Sequence, residues 1–439
     1  MSEIRFVKLD TTPLFRAATG KDERFELLWG DRVEVLSRST ARAKVRARGM
    51  EGFVRKNAIG PGSKHSLLEF YFIDVGQGDG VLIRTPDDRH ILVDGGWPRR
   101  SQPTGKNAAD FVDWKFERDY GRTNIELDAV VCSHNDQDHY GGLWDLMNRT
   151  AAVRAELNCE DVLVEEIYHA GLSWWKTSGG RTLGPSKDTA KGEMFTRLLD
   201  DRASVEAGLA SGASPALQGE WAKFWRQAKA TKNRAGGETP IKRLSDRTEF
   251  LPGFDGNGGG AAVHVLGPVE FAVDGSPAIR KIGSADGQNT NGNSVLLRVD
   301  YGKARVLLTG DLNQKSQELL LKDYKGRTEA FECDVAKGCH HGSDDVGLKF
   351  LDTVEPSVTI ISSGDSEGHD HPRPQVVAAS GRTGLESVHN DRLETPLVFI
   401  TELARSVALG TPTKMEFTRG GETHTFTGDE LKDVKVTYK

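Results

Sequence analysis

The sequence predicts an α+β chain in which helices cover strand-rich sheets, preceded by a small all-β barrel, and three observations lead there. Short apolar runs recur along the chain (LEFYFIDVG, GVLIRT, HILVDGG, LDAVVCSH, DVLVEEIYHAG, AAVHVLGP, NSVLLRVDYG, ARVLLTGD and PSVTIISSG), most of them closed by glycine or a polar turn, as strands are. Helical stretches such as GGLWDLMNRT and NQKSQELLLKDY stand between them, which makes a layered body of sheets and helices. Residues 1–63 hold only β-prone runs with alternating apolar positions, FELLW, DRVEVLS, AKVRARG and EGFVRKNAI.

A chain of 439 residues exceeds what one core organises, so two units are expected: a barrel over 1–63 and a main domain over 64–439. Residues from about 172 to 258 break the strand rhythm with glycine, serine and basic residues and read as an insertion. The tail from about 395 alternates again, in LVFITE, SVALGT, KMEFT, THTFTG and VKVTY, and no internal repeat is evident.

A hydrophobic fraction of 37% is enough to close a large core and excludes disorder. The net charge of -6 gives no global pull towards nucleic acid or an anionic membrane, so any polyanion needs a local basic patch. Cys132, Cys159, Cys333 and Cys339 are too scattered for a disulfide scaffold and read as reduced thiols. No window approaches the ~18–20 apolar residues of a membrane span. A cytoplasmic chain with no membrane partner is expected.

The segment Ser133-His134-Asn135-Asp136-Gln137-Asp138-His139-Tyr140-Gly141-Gly142 carries the strongest chemical signal, lying where the strand LDAVVC ends and the helix LWDLMN begins. On a continuing strand His139 would point away from His134, Asp136 and Asp138, so only a loop lets all four converge. So many carboxylates and imidazoles repel one another unless cations neutralise them, which makes bound metal the economical reading.

This segment resembles the H-x-[HD]-x-D-H signature of the metallo-β-lactamase superfamily. Further pieces of that pattern follow in order: Asp94 in ILVDGG, Asp311 in VLLTGD, His340 and His341 in VAKGCHHGS, and His369 and His371 in GHDHPRP. FIDVGQGDG, SHNDQDHYGGL, NGNSVLLRV, LLTGDL, HHGS and DHPRPQVV are most similar to the hydrolase domain of ComEC-type DNA-uptake proteins. The run GDRVEVLSRSTARAKVRARGMEGFVRKNAI resembles bacterial SH3-like domains, with Gly52, Phe53 and Val54 as their final turn. Such modules bind peptides or cell-wall fragments, or pack against their neighbour; internal docking is the preferred expectation, and a protein partner remains open.

The resemblance implies an αββα sandwich and a hydrolase with two divalent cations, Zn²⁺ or Mn²⁺, that activate water. His134 and Asp136 would serve the first cation, and Asp138, His139 and His371 the second, with Asp311 between them; His369 is the alternative to His371. An aspartate at 136, where many relatives carry histidine, hardens the set and admits Mn²⁺. Asp138, His340 and Asp94 would act in catalysis, Asp94 by orienting a ligand histidine. His341, Asn293 and Lys337 would lie at the substrate. Asp74 and Asp79, beside glycines, read as structural, and His169 and His264 as core or surface histidines.

The activity expected is a phosphodiesterase or nuclease acting on nucleic acid or another phosphoester. A small phosphoester or a lactam-like amide is the alternative substrate, and a binding scaffold with a vestigial metal site the non-enzymatic one. Lys223, Arg226, Lys229, Lys232, Arg234, Lys242, Arg243 and Arg247, with Trp221, Phe224 and Trp225 nearby, offer phosphate contact and stacking; an ordinary helix with its aromatics inward is the competing reading.

Overall fold

The computed structural model describes residues 3–62, 66–364, 369–402, 414–419 and 421–427. SVALGT and VKVTY lie outside them.

Residues 3–60 form one seven-stranded antiparallel sheet, Glu23–Leu28, Thr11–Phe15, Met50–Arg55, Arg42–Ala47, Arg32–Arg38, Glu3–Val7 and Ile59–Gly60 in spatial order. Alternation does what period two requires: Ala43, Val45 and Ala47 are buried, with Leu14, Leu27, Val33 and Val54, in a core separate from the rest. Gly52, Phe53 and Val54, expected at a turn, instead lie inside the strand Met50–Arg55. A Cβ on Gly52 would come within 2.6 Å of Leu14, so packing accounts for this glycine. The sheet docks on the following body through Gly49, whose N–H donates to Asp119 at 2.9 Å, and Arg32, which lies over the Tyr120 ring at 4.6 Å.

Two further sheets form the main body. The first runs Ile241–Arg243, Asp161–His169, Asn124–Cys132, His90–Val93, Val81–Arg84 and Glu69–Phe72; the second runs Phe250–Asp255, Ala262–Gly267, Leu296–Tyr301, Ala304–Leu308, Val335–Lys337, Val358–Ile361 and Leu397–Ile400. Successive side chains point to opposite faces. Val81, Ile83, Ile91, Val93, Ala129 and Val131 therefore meet Val263, Val265, Leu297, Val299, Val306 and Leu308 between the sheets. Their neighbours Leu82, Leu92, Val130 and Cys132 face the helices Gln137–Met147 and Gly219–Ala230. Leu296, Leu307 and Ala336 face Leu320, Phe331 and Phe350 on the far side. The layer order is the expected αββα.

The stretch read as an insertion is part of this body. Trp221, Phe224 and Trp225 on Gly219–Ala230 are at most 2% exposed and join the first sheet's outer core. Four of the eight basic residues face carboxylates: Lys223 pairs with Glu220, Arg234 with Asp128, Lys242 with Glu166, and Arg243 with Asp200 and Glu270. The three aromatics therefore offer no exposed faces for the expected stacking, and these four cations are held in ion pairs. The aromatics supply apolar burial instead. No helix among the described residues is long and apolar enough to cross a membrane, and all four cysteines are buried and unbonded to one another.

Candidate metal centre

The chemistry-bearing residues sit just after strand ends along one rim of the sandwich. Asp94 follows His90–Val93, His134 follows Asn124–Cys132, Asp311 follows Ala304–Leu308, and His340 and His341 follow Val335–Lys337. The two sheets are tied there by Val295, whose N–H donates to the Ser133 carbonyl at 2.8 Å.

The helix after His134 begins at Gln137, earlier than LWDLMN suggests, so Asp138 and His139 occupy its first turn. There the helix dipole favours a carboxylate. Gly141 and Gly142 lie within the helix and serve close approach: a Cβ on Gly142 would come within 1.9 Å of the Gly95 carbonyl oxygen. Asp94 takes a left-handed backbone (φ +57°), which an aspartate tolerates better than most residues. In that position its Oδ1 accepts from Ser133 N–H at 2.7 Å and its Oδ2 from His139 Nδ1 at 2.8 Å.

With Nδ1 engaged, His139 turns Nε2 inward. His341 does the same, its Nδ1 on the Ser362 carbonyl at 3.1 Å. The two Nε2 atoms stand 3.2 Å apart, and Asp311 Oδ2 lies 3.3 Å from one and 3.0 Å from the other. Asp138 flanks them at 4.0 and 3.7 Å. Beside this group His134, buried and held through Nδ1 by Ser133 at 3.0 Å, leaves Nε2 without a partner, 3.8 Å from Asp136 Oδ2. His340 Nε2 is 3.8 Å from Asp311 Oδ2.

The atoms suit divalent cations. Ligands about 2.0–2.2 Å from one ion stand roughly 3–4 Å from each other, which is the spacing of both groups. His134 Nε2 and Asp311 Oδ1 are also buried without a hydrogen-bond partner among the described residues, a cost that a cation would remove. The electrostatics agree. Burial and the neighbouring Asp138 carboxylate push Asp136 up to about 7. Burial opposes charge on His139 and His341, but Asp311 with Asp94 on one and with Asp79 on the other outweighs it, holding His139 well above the usual range and His341 at about 9. Positive charge is what this cluster lacks.

His341, expected at the substrate, points Nε2 into the cluster. His371, expected to complete the second site, lies outside the tight group of Asp79, His139, Asp311 and His341, as His134 and Asp136 do; it lines the adjoining pocket with Asp311, His340 and His369, and its buried Nδ1 has no hydrogen-bond partner among the described residues. Consecutive left-handed backbones at His340 (φ +49°) and His341 (φ +53°) send one ring to the pocket and the other inward. Lys337 is 2% exposed: its Nζ donates to the Gly310 carbonyl at 3.0 Å, pairs with Asp79 and lies 3.7 Å from Asp311, so it is an internal counter-charge and not a substrate contact. Asn293 is buried too and donates to the carbonyls of Arg280 and Asn289.

Asp79, read as structural, is the residue that sequence reasoning undervalued. It faces His341 Nδ1 at 3.3 Å and His139 Nδ1 at 3.9 Å, behind both rings. The glycines of its turn were the signal, because a Cβ on Gly78 would come within 2.2 Å of the Asp138 carbonyl oxygen. Asp74 is exposed and accepts from Gly76 N–H. His169 is a core histidine set edge-on to Trp225, and His264 pairs with Asp300 at 3.4 Å.

The cluster forms one wall of an open pocket of about 640 Å³, lined also by Trp97, Tyr140, Trp174, Arg181 and Glu220.

Comparison with known proteins agrees with this geometry. Residues 73–160, which include Asp94, His134, Asp136, Asp138 and His139, match the family described as Metallo-beta-lactamase superfamily. The chain is 27% identical to ComE operon protein 3 of Bacillus subtilis over 335 residues, 74% of this chain and 32% of that protein. It is 34% identical to Competence protein ComA of Neisseria gonorrhoeae over 102 residues, 23% of this chain and 14% of that protein. It thus spans about a third or less of either relative. Among solved structures it is similar to the metallo-β-lactamase fold protein YhfI of Bacillus subtilis (12% identity, TM-score 0.34, 76% of this chain and 96% of that one). It is also similar to CmlA, a diiron β-hydroxylase of Streptomyces venezuelae (13% identity, TM-score 0.32, 74% and 48%).

Proposed function

We propose that this chain, a metallo-β-lactamase-superfamily hydrolase similar to ComEC-type proteins, is a phosphodiesterase acting on nucleic acid strands. The observation that carries this reading is the convergence of His139, His341 and Asp311, drawn from three distant segments, beside His134 and Asp136 at the wall of an open pocket. His139, His341, Asp138 and Asp311 would hold one divalent cation, and His134, Asp136 and Asp311 the other, Zn²⁺ or Mn²⁺. Such a pair supplies Lewis acidity that activates water and offsets the charge building on an attacked phosphate.

The protein residues position and protect. Asp94 fixes the ring and tautomer of His139 through Nδ1, and Asp79 stands behind both inner rings. Lys337 balances Asp79 and Asp311 from the side away from the pocket. His340 lines the pocket 3.8 Å from Asp311 and is placed to meet the attacked group's oxygen or a cation. His371 extends the same wall. The pocket's volume is that of small-ligand clefts, so one or two nucleotides of a single strand would enter at a time. The similarity to competence proteins favours a nucleic acid over a lactam-like amide. The four unpaired thiols favour a reducing compartment such as the cytoplasm.

The test is cleavage of single-stranded DNA, RNA and bis(p-nitrophenyl) phosphate by the protein loaded with Mn²⁺ or Zn²⁺, beside His139→Ala. Metal-dependent cleavage lost in the variant is the expected result. Hydrolysis of a lactam with no cleavage of any phosphodiester would overturn the reading.

A further inference from the structure

The pocket beside the cluster is acidic, with Asp136, Asp138, Glu220, Asp286 and Asp311 in its lining, and Arg181 is the one lysine or arginine among the described lining residues. Arg181 sits on the short hairpin strand Gly180–Thr182. Its guanidinium lies over the Trp174 ring, 3.7 Å from the centroid. Among the described residues no carboxylate lies within ion-pair distance of it, whereas Glu220 in the same lining pairs with Arg100 and Lys223. Trp174 is itself fixed: it is buried, and its Nε1–H donates to the Asn135 carbonyl at 2.8 Å, between His134 and Asp136.

A guanidinium is weakly hydrated and stacks well, which leaves its N–H edges directed outward. The position of Arg181 is tied to the cluster through the Trp174 ring, which is bonded to Asn135 between His134 and Asp136. Five N–H donors without a carboxylate, in a wall otherwise of one sign, form a receptor for an oxyanion.

We propose that Arg181, held on Trp174, is a subsite for a second negative group of the substrate, separate from the group that meets the histidine and aspartate cluster. This deepens the phosphodiesterase reading and rests on it: in a strand, the second group is a neighbouring phosphate. A lone neutral amide would leave the guanidinium idle.

The experiment uses the full chain loaded with Mn²⁺ and three thymidine dinucleotides whose 5′ ends carry phosphate, carboxylate or hydroxyl. Wild type, Arg181→Gln and Arg181→Lys are compared. A charge-assisted bidentate contact contributes about tenfold, so the wild type should prefer the anionic ends by about that factor in KM. Arg181→Gln should bring the preference close to one with the change in KM and not in kcat, and Arg181→Lys should restore part of it. A preference for phosphate alone would support the subsite and narrow it. Equal preference in wild type and Arg181→Gln would overturn it while leaving the hydrolase reading intact. Binding of the same compounds, fluorescein-labelled at the 3′ end, is read by anisotropy with Ca²⁺ in place of Mn²⁺. Arg181-dependent binding without any cleavage would overturn the phosphodiesterase reading and keep the subsite, and neither binding nor cleavage would overturn both.

Discussion

Asp94 and His139, 45 residues apart, are joined by a 2.8 Å hydrogen bond from the ring Nδ1 to Oδ2. Both are buried, and the bond decides which nitrogen of His139 faces Asp311 and His341. The left-handed backbone at Asp94 is part of the same device, since it lets one carboxylate hold Ser133 N–H and the imidazole together.

Asp94→Asn should therefore weaken Zn²⁺ binding by roughly 10- to 100-fold, the range seen when a residue behind a ligand histidine is changed. Competition with a fluorescent chelator measures this, with circular dichroism to confirm the fold. An affinity equal to wild type would remove Asp94 from the site.

Lys337 is a buried cation between Asp79 and Asp311. Lys337→Met should destabilise the metal-free protein by about 3–5 kcal/mol, the cost of stranding a buried charge. In Lys337→Met/Asp79→Asn the loss should be smaller than in Lys337→Met alone, because fewer charges are left unpaired. Urea midpoints check both, and a double variant no better than the single would contradict the pairing.

His90 gives a pH dependence away from the cluster. Burial, followed by the charges of Arg122, Arg84 and Arg32, holds its pKa well below the usual value, and it packs neutral against Phe116 and Tyr120. The unfolded chain binds a proton at this residue below about pH 6.5 and the folded chain does not, so its stability contribution is complete above that pH and is lost as pH falls. The slope approaches about 1.4 kcal/mol per pH unit. Between pH 7.5 and 5.5, wild type should lose about 1.4 kcal/mol more than His90→Leu. Equal losses by urea unfolding would contradict this.

Within 219–243 the structure separates core from surface. Trp225→Ala should cost about 3–5 kcal/mol through the cavity left behind. Lys242→Ala should shift stability by no more than about 0.5 kcal/mol and leave oligonucleotide binding, read by anisotropy, at the wild-type level. A large loss of binding in Lys242→Ala would restore a basic nucleic-acid surface.

The parts of this site legible in sequence are those carried by local pattern. Asp94, His134, Asp136, Asp138, His139 and Asp311 stand at strand ends in a recognisable order, and the structure brings them to one rim. That the His341 ring, and not that of His340, turns inward was not legible, because two left-handed residues in succession decide which neighbouring ring points where, and spacing carries no sign of that. Asp79 was hidden for a related reason: its glycine turn reads as architecture, and only the fold shows it behind His139 and His341. The layered body follows from alternation in the strands. Trp221, Phe224 and Trp225 share one helix face, which favoured burial from the start. The partners of Arg234 and Lys242, at Asp128 and Glu166, lie 106 and 76 residues away, beyond any local signal.

Anomalous diffraction at the zinc edge, from crystals grown with Zn²⁺, tests the central claim most directly. Two peaks are expected, one flanked by His139 Nε2, His341 Nε2 and Asp311, the other against His134 Nε2 and Asp136. Absence of any peak there, or a single peak at His369 and His371 clear of Asp311, would contradict the account.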